Sequence, residues 1–150
     1  MRVVIQRVKQ ATVSVQGIKI SEIQKGLLIL LGVESQDNQQ DIDWLVAKVA
    51  KLRIFEDCDG AMNVSLQDLQ ADVIVVSQFT LHASTKKGNR PSFIKAAKPE
   101  VAIPIYQSFV DGLEKQLDKK VQTGQFGAMM DVALVNDGPV TITIDTKNKE

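Results

Sequence analysis

The chain has 150 residues, balances eighteen Lys and Arg against eighteen Asp and Glu, and is 44% hydrophobic and 24% charged. That length suits one domain with a real core, and the composition excludes wholesale disorder. A formal net charge of zero removes the case for a chain basic all over and leaves nucleic-acid contact to a local patch.

Cys58 is the single cysteine and His82 the single histidine. An internal disulfide is therefore excluded, and so is a zinc site built from these ligands. The first residues hold no apolar run of signal-peptide length. The longest run, Leu27-Leu28-Ile29-Leu30-Leu31, is far shorter than a membrane span. These features predict a soluble, cytoplasmic domain.

Taken in chain order, residues 3–8 are β-branched and apolar, and residues 12–15 alternate, so both read as strands. Gln16-Gly17 predicts a turn into a strand over 18–23. The run after Gly26 suits a strand covered on both faces. Ile42, Leu45, Val46, Val49 and Ala50 share one face of a helix, with Ser35 or Asp37 as its cap. Residues 52–55 and 73–81 read as strands, and Asp59-Gly60 supplies a hairpin turn. A second helix opens at Pro99-Glu100, with Val101, Ile105, Phe109 and Leu113 facing the core. Pro104 predicts a kink or a later start. Residues 129–135 and 140–144 form a closing pair around Asn136-Asp137-Gly138-Pro139, and residues 145–150 read as a loose tail. The expectation is one mixed, strand-rich α/β domain over residues 1–150.

Three segments could carry chemistry. In Ser77-Gln78-Phe79-Thr80-Leu81-His82 an apolar strand turns polar, and strand alternation would place Gln78, Thr80 and His82 on one face. This fits either a Thr80 hydroxyl activated by His82 or a strand end wetted by solvent. Asn136-Asp137-Gly138-Pro139-Val140-Thr141 reads first as turn chemistry, although Gly before Pro also lets backbone approach a ligand. Residues 86–98 hold five cations and no acid, which suits phosphate contact or a solvated loop. Asp57-Cys58-Asp59-Gly60 lacks the closing acid of a calcium loop and reads as a turn. Phe126-Gly127-Ala128-Met129-Met130 reads as core filler or a pocket wall.

The segments around Ser77 and Asn136 resemble, in order, the two signature motifs of the D-aminoacyl-tRNA deacylases. Residues 1–8, 26–33, 52–57, 87–93 and 124–128 also look like family segments, so the resemblance spans the chain. It implies a homodimer whose sheets pair across a twofold axis with helices outside. That enzyme would act on the aminoacylated 3′ end of tRNA, without metal or organic cofactor, and hydrolyse esters of D-amino acids and mischarged glycine. The Gly138-Pro139 bond is expected to be cis, with carbonyls that hold the substrate's α-amino group in the partner subunit's pocket and leave an L side chain no room. Asn136, Phe126 and Met130 would line the substrate. Amides around Phe79 and Thr80 would stabilise the oxyanion while the ribose 2′-hydroxyl assists water. Ser77, Gln78 and Thr80 would shape the site, and Lys86, Lys87 and Arg90 would face the acceptor stem. Ala61 and Met129 depart from the Lys and the acid common at their positions. Two rivals remain: a non-hydrolytic RNA-binding module of the same fold, and a small-ester hydrolase using Thr80 and His82.

Overall fold

Alternation along the first strand sets the frame. In the computed structural model, which describes residues 1–149, β1 (Arg2–Val15) runs unbroken through both segments expected as separate strands. Val3 and Ile5 are buried on one face of it. Gln16 and Gly17, at φ 50° and 77°, make a two-residue hairpin turn into β2 (Ile18–Ile23). β3 (Gly26–Gly32) pairs antiparallel with β1, and β6 (Asp72–Ser77) pairs parallel with β3. Both are covered on two faces, which accounts for their uninterrupted apolar runs. β7 (Gln122–Thr123) extends the sheet beyond β6, in the order β2-β1-β3-β6-β7.

Helices α1 (Gln39–Ala50) and α3 (Pro99–Leu117) cover one face of the sheet. Leu45, Val49, Phe109 and Leu113 meet Val3, Ile5, Leu27, Ile29, Val73 and Val75 there. Each such fully buried side chain stabilises the fold by roughly 1.5–3 kcal/mol. Val8 faces the other side by alternation, and a bulge near Lys9 shifts the parity of β1 so that Ala11 and Val13 join it against Leu28, Ile74 and Val76. The edges curl towards each other, and the Ser21 hydroxyl donates to the Thr123 carbonyl.

Several expectations are corrected. Residues 129–135 and 140–144 are not a hairpin. They are one strand, β8 (Asp131–Asp145), that pairs along the whole of β1. Neither Ser35 nor Asp37 caps α1. Asn38 does, accepting from the amides of Gln40 and Asp41, while the buried Asp37 carboxylate pairs with the Met1 amine at 2.5 Å. Pro104 lies inside a continuous α3, past the first turn, so the Glu100 carbonyl lacks the amide donor four residues on, yet the helix runs through it. The strand expected over 52–55 shrinks to β4 (Phe55–Glu56), which pairs with β5 (Met62–Val64) around Asp59-Gly60. A four-residue helix, α2 (Leu66–Leu69), capped by Ser65, was not expected.

The presumed loose end is held through Lys149, whose ammonium lies 4.5 Å from the centre of the Trp44 ring. Asp145 closes β8, the Thr146 hydroxyl accepts from the Met1 amine at 2.7 Å, and Lys147 pairs with Asp41 at 2.6 Å. Glu150, the last residue of that expected tail, lies outside the described residues. No helix among the described residues is long and apolar enough to cross a membrane.

Candidate functional site

The strand that leads to the site ends earlier than expected. β6 stops at Ser77, and residues Phe79–His82 form one tight 3-10 turn. Gln78, Thr80 and His82 therefore do not share a strand face. The turn docks on Gly32 at the end of β3, where a Cβ would come within 3.0 Å of the Gln78 carbonyl oxygen and of Leu81 Cβ. The Gln78 amide donates to the Leu31 carbonyl at 2.8 Å, and the Leu81 amide to the Gln78 carbonyl at 3.2 Å. The amides of Phe79 and Thr80 open the turn, and among the described residues no backbone carbonyl outside it accepts from them.

Thr80 is exposed, and its hydroxyl accepts from Gln78 Nε2 at 2.5 Å. His82 is 1% exposed, and among the described residues neither ring nitrogen has a hydrogen-bond partner. The expected pairing of His82 with the Thr80 hydroxyl is not present.

Phe79 is 57% exposed and meets the Phe93 ring edge-on, with centroids 5.1 Å apart. Beside this pair, Ser84 and Ser92 exchange backbone hydrogen bonds of 2.8 and 2.9 Å. They close a loop that carries Lys86, Lys87 and Arg90, all exposed. The basic patch thus stands next to the turn even though the whole chain is neutral.

Phe126 and Met130 belong to the same end of the sheet. The Gly124 amide donates to the Val75 carbonyl at 3.1 Å, and the chain leaves β7 there, two residues short of the level of Ser77. Phe126 packs edge-on against Tyr106, whose phenol burial pushes up to about 12 and whose hydroxyl donates to the Val75 carbonyl at 2.8 Å. Met130 fills the space over Gly124, where a Cβ would meet its sulfur at 2.6 Å.

The second motif lies elsewhere. Val8 pairs with Asn136 and Gln6 with Thr141, so residues 137–140 bulge from β8 opposite Arg7 alone. The Gly138-Pro139 bond is cis, as the resemblance implies, and both residues are exposed. Asn136 ties the base of the bulge, its Oδ1 accepting from the Val140 amide at 3.1 Å and its Nδ2 donating to Thr141 Oγ1 at 3.0 Å.

Arg7 is the residue that sequence reasoning missed. It is buried, with Nη1 donating to the Ile54 carbonyl at 2.7 Å and Nε to the Asp137 carbonyl at 3.2 Å. The Asp137 and Glu56 carboxylates, at 3.3 and 3.6 Å, balance its charge. The signal that would have found it is parity: Arg7 follows Val3 and Ile5 on the core-facing side of β1.

Within one chain the two motifs do not meet. From Ser77 to the bulge the sheet runs three strand spacings across and four residues along β1, roughly 20 Å in all. Ser77, Gln78, Phe79, Thr80, the basic loop, Phe126 and Met130 make one group, and Asn136, Gly138 and Pro139 make another.

The family model described as D-Tyr-tRNA(Tyr) deacylase matches residues 4–145. The chain belongs to that family. A D-aminoacyl-tRNA deacylase of Flavobacterium johnsoniae is 65% identical over the full length of both chains, and one of Bacteroides fragilis is 60% identical, again over the full length of both. Among solved structures, one titled c-Myc DNA Unwinding Element Binding Protein matches with a TM-score of 0.91 and 41% identity, covering 97% of this chain and 98% of that one. Membership in the deacylase family thus covers both motifs and the strands that carry them.

Proposed function

We propose that this chain hydrolyses the ester between a D-amino acid, or mischarged glycine, and the 3′ end of tRNA, and that it does so as a homodimer. The observation that carries this reading is the pairing of two incomplete half-sites in one family member. One half is a turn that presents two amide donors, and the other is a Gly-Pro bulge exposed roughly 20 Å away. A second copy is what brings a bulge to a turn.

In this reading the Phe79 and Thr80 amides point at the ester carbonyl and stabilise the negative charge that develops on its oxygen. An aminoacyl ester is already activated, so placed donors and a placed water suffice, with the ribose 2′-hydroxyl assisting the water. Thr80 acts as a positioning residue. Its hydroxyl already accepts a hydrogen bond from Gln78, and among the described residues no carboxylate or imidazole is hydrogen-bonded to it to serve as a base. The carbonyls of Gly138 and Pro139 from the other copy hold the α-amino group. They occupy the space an L side chain needs, so D-amino acids and glycine are accepted. Lys86, Lys87 and Arg90 bind phosphates of the acceptor end.

Release of amino acid from D-tyrosyl-tRNA and L-tyrosyl-tRNA by the purified protein, with chelator present, tests the proposal. Hydrolysis confined to the D ester is expected. Equal hydrolysis of both would remove the filter. Binding of tRNA without hydrolysis would replace the enzyme with a binding module.

A further inference from the structure

We infer that Arg2, locked by its ion pair with Asp145, positions the Phe79–His82 turn for the reaction, an inference that rests on the deacylase reading above. β1 begins where β8 ends, and Arg2 lies opposite Asp145. Arg2 Nε donates to Asp145 Oδ2 at 2.7 Å, and Nη1 of the same guanidinium donates to the Leu81 carbonyl at 3.1 Å. One planar group thus joins the edge of the sheet to the middle of the turn, and the carboxylate fixes its orientation.

The remaining attachments of the turn do not duplicate this one. The Gln78 amide anchors the turn's entrance on Leu31, and the bare backbone of Gly32 only makes room beneath it. His82 is buried against Gly32, its Cδ2 3.1 Å from where a Cβ would be, but among the described residues neither nitrogen makes a hydrogen bond. The imidazole therefore holds the turn by shape, the edge of the Phe93 ring meets Phe79 on the loop side, and Arg2 adds a directional hydrogen bond beyond the turn's entrance. A cleft of about 330 Å³, bounded by Arg2, Leu81, Asp145 and Trp44, adjoins the link. Without the guanidinium the turn has space to shift, and displaced amides lose their aim at the ester oxygen. Arg2 needs no contact with substrate for this, so it is a positioning residue.

The test compares Arg2→Met, which keeps the apolar stem, with Asp145→Asn, which keeps the shape but not the charge, and with Arg2→Lys. Steady-state hydrolysis of D-tyrosyl-tRNA and hydrogen exchange of backbone amides are measured on each full-length variant. In Arg2→Met, kcat is expected to fall about tenfold with KM changed less than about twofold. Exchange at the Leu81 and Ala83 amides, bonded to Gln78 and Thr80 carbonyls, should quicken about tenfold while β3 and β6 keep their protection. Asp145→Asn should show the same pattern more weakly, and Arg2→Lys should recover only part of the rate. An unchanged kcat overturns the inference. A slower rate without faster exchange at the turn does so too, as does exchange that quickens equally in β3 and β6. A wild type that hydrolyses no D ester defeats the deacylase reading alone, because Leu81 and Ala83 exchange still reads whether Arg2 holds the turn.

Discussion

The Arg7 guanidinium stands where a side chain at residue 138 would have to be: a Cβ on Gly138 would lie 2.9 Å from Arg7 Nη2. Gly138 also has φ +121°, a conformation that L residues rarely adopt. The bulge and the buried cation beneath it are thus one unit, formed by two residues far apart in sequence and adjacent on the paired strands.

Gly138→Ala should therefore be opposed by backbone and by Arg7 together. Urea melts should show a loss of about 1–3 kcal/mol. In hydrolysis assays the preference for D over L esters should fall, because the bulge must move to admit the methyl group. A variant that keeps wild-type stability and selectivity would separate the bulge from the filter.

Arg7→Met should cost about 2–4 kcal/mol, since the Ile54 and Asp137 carbonyls lose a charged donor where water is scarce. Arg7→Lys should recover little, because one ammonium cannot serve both carbonyls as a fork does. Equal melting curves for wild type and Arg7→Met would contradict the clamp.

His82→Leu should keep D-ester hydrolysis within about twofold of wild type and raise stability by about 1 kcal/mol, because it replaces two unpaired buried nitrogens with carbon. Loss of hydrolysis would return the Thr80–His82 mechanism to consideration.

Replacing Lys86, Lys87 and Arg90 with Ala should raise KM for aminoacyl-tRNA. It should also flatten the dependence of log affinity on log salt by about 2–3, near one per lost phosphate contact. A salt slope equal to wild type would place the tRNA elsewhere.

Acid should loosen the C-terminal end. Burial opposes ionisation of Asp41, but its hydrogen bonds with Lys147 and Thr146 and from the Asn38 backbone outweigh this and hold the carboxyl below its ordinary value. A lowered carboxylate pKa adds stability that is present above the unfolded value and lost as pH falls through the folded one. Stability should thus decline below about pH 4, and Asp41→Asn should flatten that decline in melts recorded against pH.

Much of this was legible in sequence because it depends on local pattern. The uninterrupted runs in β3 and β6 announced strands covered on both faces, and the 3.6 spacing of Leu45, Val49, Phe109 and Leu113 announced helices. What was misread depends on partners distant in sequence. Asn136-Asp137-Gly138-Pro139 has the same residues whether the chain reverses or bulges, and only a β1 long enough to pair with both halves of β8 decides for the bulge. The turn after Ser77 continues an alternating pattern in sequence, yet the missing side chain of Gly32 lets the backbone fold over β3 instead. Ser77, Thr80 and Gly138 were recognised through the motifs that hold them. Arg2 and Arg7, the residues that brace those motifs, lie in a strand that resembles the family's first segment but whose pattern gives neither arginine a partner.

The central claim is that one site draws its turn from one copy and its filter from another. Mixing two variant chains tests it: Phe79→Pro, which deletes an amide donor at the first position of the turn, and Gly138→Ala, which disrupts the filter. Each should be impaired alone. After unfolding and refolding together they should regain rapid D-selective hydrolysis, because a mixed dimer contains one site with an intact turn from one chain and an intact filter from the other. A mixture no faster and no more selective than the sum of its parts would contradict the account.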